Sequence, residues 1–104
     1  MDNSTITAYN HSHRFLFNVN PNSELQMENS ELSYCGYSNI YTGLVIKTNA
    51  VAIKNCVISN NAYGISFFNS SGSIVTGCII FDNYYDGIYI SNSNSLNIEW
   101  NSGY

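Results

Sequence analysis

The sequence predicts an all-β fold, a parallel β-helix (solenoid) of about four coils. Two observations carry that expectation. A glycine followed by an alternating triplet recurs as Gly43-Leu44-Val45-Ile46, Gly64-Ile65-Ser66-Phe67 and Gly87-Ile88-Tyr89-Ile90, with the glycines 21 and 23 residues apart. A second apolar column follows each triplet by about eight residues and keeps a similar period. An in-out-in triplet buries one face only, so a single unit is unstable alone. Stacking units at a fixed period buries a continuous column instead.

The elements follow in order along one module, residues 1–104, with an irregular first coil over 1–22 and clear repeats over 23–104. Phe17 and Val19 open the first apolar column, which Leu44/Ile46, Ile65/Phe67 and Ile88/Ile90 continue. Ser66 and Tyr89 then face outward. The second column begins with Met27 and Leu32, and runs through Ile53 with Ile58 and Val75 with Ile80 to Ile98. A third sits three residues further on as Cys35, Asn61 and Asn83. Parallel strands lie about 4.8 Å apart, so equivalent residues stack into ladders. An Asn at a corner bonds to backbone and to the Asn of the next coil, which places Asn61 beneath Asn83.

Composition excludes several classes. Charged residues are 10% of the chain, hydrophobic residues 44%, and the net charge is −4. Three basic residues cannot neutralise a run of phosphates, so no nucleic-acid partner is expected. No apolar run reaches the roughly 18 residues of a membrane-spanning helix. Periodic Ile, Val, Leu and Phe argue against disorder. Asn, Ser, Gly and β-branched residues favour short strands and tight corners. Asn3-Ser4-Thr5, Asn10-His11-Ser12 and Asn69-Ser70-Ser71 match the N-glycosylation pattern, a slight lean toward export.

Ile53-Lys54-Asn55-Cys56-Val57-Ile58-Ser59-Asn60-Asn61 before Gly64-Ile65 recurs as Val75-Thr76-Gly77-Cys78-Ile79-Ile80-Phe81-Asp82-Asn83 before Gly87-Ile88. From about Ser23 onward, roughly three-quarters of the chain resembles the right-handed parallel β-helix repeat family of carbohydrate-binding and sugar-hydrolase type. The resemblance implies a right-handed coil, a polysaccharide or glycan as partner, and an extracellular or cell-surface location. Cys56 and Cys78 stand where such repeats usually carry Asn, and Asn101 restores it. Neither end shows a capping helix or polar closing strand, so a fragment of a longer solenoid is expected, with end coils prone to self-association.

Catalytic chemistry finds little footing. Cys56 and Cys78 lie one coil apart on neighbouring rungs, where parallel side-chain vectors suit buried thiols better than a disulfide. Cys35 falls in another column. His11 and His13, beside Arg14, lack a third ligand, so no metal and no cofactor is expected. Asp82 and Asp86 flank one corner, whereas an inverting hydrolase needs two carboxylates roughly 6.5–9.5 Å apart across a groove. None of Arg14, Lys47 and Lys54 lies one coil from them in the same column. No catalytic residue is assigned. The alternative is a fragment of a polysaccharide lyase or glycoside hydrolase whose parent supplies the missing groups.

The corners after the third column carry aromatics: Tyr37 and Tyr41 in one coil, Tyr63 in the next, Tyr84, Tyr85 and Asp86 in the third, with outward Tyr89 beside them. If the coils register, these residues line one edge and offer apolar faces beside polar groups, which suits sugar rings. Equally, the rings could cover the corner or pack against a missing remainder. Val57 and Ile79, with Phe81 and Phe68, outline an outward apolar column of the kind another chain covers. The expectation is a non-catalytic secreted or cell-surface module with a carbohydrate-binding or scaffolding role. A purely structural self-associating repeat is the other reading.

Overall fold

The computed structural model describes residues 1–8, 14–36, 42–99 and 102–103. Strands of two to four residues form three parallel sheets, one on each side of the coil. The first sheet holds β2 (Phe17–Val19), β5 (Leu44–Ile46), β8 (Ile65–Phe68) and β11 (Ile88–Ser91). The second holds β3 (Gln26–Glu28), β6 (Ala52–Lys54), β9 (Ile74–Thr76) and β12 (Asn97–Glu99). The third holds β1 (Thr5–Ile6), β4 (Glu31–Ser33), β7 (Val57–Ser59), β10 (Ile79–Phe81) and β13 (Ser102–Gly103). Each strand pairs with its equivalent one coil away, as the expected solenoid requires.

The strands are short because single left-handed residues end them at stacked positions. Between the second and third sheets these are Asn29, Asn55 and Gly77, at φ of 51°, 54° and 67°. After the third sheet they are Tyr34, Asn60 and Asp82, at 59°, 57° and 53°. After the first sheet Asn69 and Asn92 repeat the device at 51° and 49°. Asn and Asp adopt this backbone more readily than other non-glycine residues, which accounts for much of the Asn content.

Two of the recurring glycines that open the first sheet, Gly43 and Gly64, are required by close approach between coils. A Cβ on Gly43 would lie 1.8 Å from the Tyr63 carbonyl oxygen, and one on Gly64 would lie 2.2 Å from that of Gly87. No side chain fits there.

The expected register holds. Phe17, Leu44, Ile65 and Ile88 stack in one ladder, and Val19, Ile46, Phe67 and Ile90 in its neighbour. Met27, Ile53, Val75 and Ile98 stack in the second sheet, while Leu32, Ile58 and Ile80 stack in the third. Their inward side chains make one core in which Met27, Leu32, Ile46, Ile53, Ile58, Ile65 and Phe67 are fully buried. Several positions differ in exposure from the simple in-out pattern, at the stack end (Ile90, Ile98) and in the outward column (Val45, Ser66). Ile90 stacks on Phe67 yet is 47% exposed, because β11 is the outermost strand of its sheet. Ser66 occupies the outward column between Val45 and Tyr89 but is fully buried.

Polar ladders run beside the core. The Asn61 carboxamide accepts a hydrogen bond from the Cys35 N–H (2.8 Å) and donates to the Leu32 carbonyl (3.4 Å). The Asn61 N–H donates in turn to the Asn83 carboxamide oxygen (3.0 Å). Cys56 and Cys78 share a column with Ser30: each side chain donates to the carbonyl two residues back, at 3.3 Å, 3.5 Å and 2.7 Å respectively. The thiols therefore occupy a hydrogen-bonding corner. All three cysteines are free and buried.

Candidate functional site

The corner leading into the first sheet sets the tyrosines. Its backbone stacks coil on coil: the Tyr63 N–H donates to the Thr42 carbonyl (2.7 Å), the Tyr84 N–H to Asn61 (2.8 Å) and the Tyr85 N–H to Ala62 (2.8 Å). Tyr85 thus lies on Tyr63, and their rings stack at 5.0 Å with a 21° interplanar angle. That spacing is essentially the strand repeat of a parallel sheet.

Tyr84 meets Tyr85 edge-on at 4.7 Å. From β11, Tyr89 meets the Tyr63 ring edge-on at 5.8 Å and tilts against Phe68 at 5.7 Å. Five rings form one chain along the outer face: Tyr84, Tyr85, Tyr63, Tyr89 and Phe68. Such contacts add about 0.5–1.5 kcal/mol per pair beyond burial and fix ring orientation. Tyr84 is 72% exposed and Tyr85 43%, while Tyr63, Tyr89 and Phe68 are half-buried.

Asp86 is exposed at the same corner, and its backbone carbonyl accepts from the Gly64 N–H (3.0 Å). Of the sequence-derived site residues, the structure brings Tyr63, Tyr84, Tyr85 and Tyr89 together with Asp86 adjacent in the chain. Tyr37 and Tyr41 lie outside the described residues, as do His11 and His13. Phe68 joins the rings, since it lies in the first sheet, away from Val57 and Ile79 in the third. Asp82 is exposed at a left-handed corner. Among the described residues no group of three His, Cys, Asp or Glu is placed to hold a metal.

Beyond Phe68 the outer face opens into a groove of about 610 Å³, lined by Leu16, Asn18, Pro21, Thr42, Val45, Lys47, Phe68 and Asn69. Its origin is visible in the outward column Asn18, Val45, Ser66 and Tyr89. The last coil carries a ring in that column and the first two carry smaller side chains. Reading the strands for their inward faces missed this groove, although the outward column was the signal.

Burial keeps the nearby thiols inert. It pushes the Cys35 thiol up to about 12, against smaller opposing effects of a backbone hydrogen bond at Phe17 and the charge of Arg14. Burial also raises Cys78. Neither supplies a thiolate near neutral pH.

Polar residues, exposed rings and a groove can bind an amphipathic ligand, with ring faces meeting apolar surface and carboxamides meeting hydroxyls. No curated protein and no solved structure matches the chain. The sequence pattern of the right handed beta helix region does match, over residues 1–102. The chain belongs to the right-handed β-helix family.

Proposed function

We propose that this chain is a non-catalytic β-helix module of a secreted or cell-surface protein that binds carbohydrate at its tyrosine edge. The observation that carries the reading is the contiguous cluster of Tyr84, Tyr85, Tyr63, Tyr89 and Phe68, of which Tyr84 and Tyr85 are exposed. Sugar rings have apolar C–H faces that pack on such rings, while their hydroxyls need polar neighbours such as Asp86. The exposed asparagines of Asn3-Ser4-Thr5 and Asn69-Ser70-Ser71 support an exported setting.

A glycan array, followed by titration of the retained glycans, tests the reading. Tyr84→Ala with Tyr85→Ala should weaken binding tenfold or more and leave the circular dichroism spectrum unchanged. A folded double variant that binds as well as the parent would sink it. A scaffolding role is the second reading, and the stacked pair Val57 and Ile79, with Ile79 43% exposed, favours it. On that reading the chain self-associates in sedimentation experiments, Ile79→Lys disperses it, and no glycan is retained.

A further inference from the structure

The groove beyond Phe68 has one feature the tyrosine edge lacks: an asparagine of an acceptor triplet stands in its wall. Asn69 lines the groove next to Phe68 and opens Asn69-Ser70-Ser71, the pattern that carries asparagine-linked glycans in exported proteins. It follows β8 at a left-handed φ of 51°, and its backbone is pinned. The Asn69 N–H donates to the Ser91 carbonyl (3.1 Å) and the Ser70 N–H to the Ser93 hydroxyl (3.0 Å). The side chain itself is exposed, and its carboxamide has no partner among the described residues. Asn92 occupies the same corner one coil on, at φ 49°, but Asn92-Ser93-Asn94 lacks the third-position hydroxyl. Of the other matches to the pattern, Asn3 does not line the groove and Asn10 lies outside the described residues.

What surrounds Asn69 suits a sugar ring. Phe68 offers an aromatic face, Leu16 and Val45 add apolar surface, and Asn18 and Thr42 add hydrogen-bonding groups. The volume of about 610 Å³ falls within the roughly 300–1,000 Å³ of small-molecule sites. A sugar bonded to the Asn69 nitrogen is held at this space by its own tether, at an effective concentration of about a millimolar. We propose that Asn69 is a glycan acceptor and that the groove seats the chain's own first sugar against Phe68. The inference rests on the exported setting proposed above and adds a modification site and an occupant for the groove.

In the transfer, the Asn69 Nδ2 attacks the anomeric carbon of a lipid-pyrophosphate-linked oligosaccharide. The C–N bond forms as the carbon–oxygen bond to the pyrophosphate breaks. The amide proton passes to a base of the transferase, and the lipid pyrophosphate leaves. In the fold, Ser71, the third residue of the triplet, is engaged: its N–H donates to the Asn49 carboxamide (2.9 Å) and its hydroxyl accepts from the Asn94 N–H (3.4 Å). Transfer therefore belongs to the unfolded chain during export, and folding then carries the sugar into the groove.

The test is export of the full chain from a host that glycosylates asparagine, followed by glycopeptide mass spectrometry. Asn69 should be occupied, and Asn69→Gln should remove that glycopeptide. Nuclear Overhauser contacts should run from the first sugar to the Phe68 ring. The glycosylated chain should melt about 2–6 °C above the same chain made in a host without the transferase. Phe68→Ala should keep the occupancy and abolish that gap, whereas Asn3→Gln should leave the gap unchanged. An empty Asn69, a first sugar without contact to Phe68, or a gap that is absent or survives Phe68→Ala overturns the inference. The glycan array on the Asn69→Gln chain reports on the tyrosine edge alone, so retention of no glycan there sinks that reading without touching Asn69.

Discussion

Replacing Asn61 by alanine tests whether the polar ladder stabilises the stack or merely accompanies it. Asn61 is fully buried, and its carboxamide serves the coil before it through Cys35 and Leu32. The alanine leaves the Cys35 N–H without its 2.8 Å acceptor in a buried corner, and a buried unsatisfied donor costs about 1–3 kcal/mol. Loss of the longer bond to Leu32 and a small void bring the total to about 3 kcal/mol. That is a large share of the roughly 5–15 kcal/mol that small domains possess. With a urea slope of about 1–3 kcal/mol per molar, the midpoint should fall by about 1–3 M at unchanged slope. Asn97→Ala, an exposed change in β12, should stay within about 0.5 kcal/mol. Asn83→Ala removes the acceptor of the Asn61 N–H, but Asn83 itself is half-buried, so water reaches the freed donor and the loss should fall between the two. If Asn61→Ala moves the midpoint no further than Asn97→Ala, the ladder argument is wrong.

Other expectations follow from the same packing. Gly43→Ala would drive a Cβ to 1.8 Å from backbone, so it should fail to fold or lose at least about 4 kcal/mol by thermal melting. Gly72→Ala meets nothing within 4 Å at φ +70° and should cost only the left-handed penalty of about 1–2 kcal/mol. Ser66 is fully buried and its hydroxyl has no hydrogen-bond partner, so Ser66→Ala should raise stability by about 1 kcal/mol, and a lowered melting point would count against that burial. Burial holds the proton on the Cys35 thiol in the fold up to about 12, against 9.0 for an ordinary thiol. Below pH 9 the two states bind the same proton. Above it the unfolded chain ionises first, so stability should fall as pH rises from 9 toward 12. Cys35→Ala should flatten that fall in urea titrations, and equal slopes would contradict the burial of this thiol.

The fold was legible because its inward ladders leave a direct trace. A parallel stack repeats each inward position once per coil, so Leu44/Ile46, Ile65/Phe67 and Ile88/Ile90 announce both strand and register. The Cys35–Asn61–Asn83 column was legible for the same reason. The left-handed corners were less so: Asn29, Asn55 and Gly77 fill one structural position with different residues, and Tyr34 takes a role that Asn60 fills one coil later. Exposure at the stack end also escaped the pattern, because Ile90 repeats the inward letter while β11 has no further strand against it.

Of the site, the sequence placed Tyr63, Tyr84, Tyr85 and Tyr89 on one edge because Tyr63 and Tyr85 each follow a stacked asparagine, Asn61 and Asn83, by two residues. It rightly faced Phe68 outward but grouped it with Val57 and Ile79, whereas Phe68 lies in the first sheet beside Tyr89. The groove was hidden for a physical reason. It lies where the outward column carries Asn18 and Val45 in place of the last coil's Tyr89, and such a space has no residue of its own.

The most direct test of the account is a backbone and side-chain NMR titration of the chain with a glycan retained on the array. The account predicts shift changes at Tyr63, Tyr84, Tyr85, Tyr89 and Phe68, with Val57 and Ile79 unmoved. Perturbations confined to Val57, Ile79 and the third sheet would contradict it.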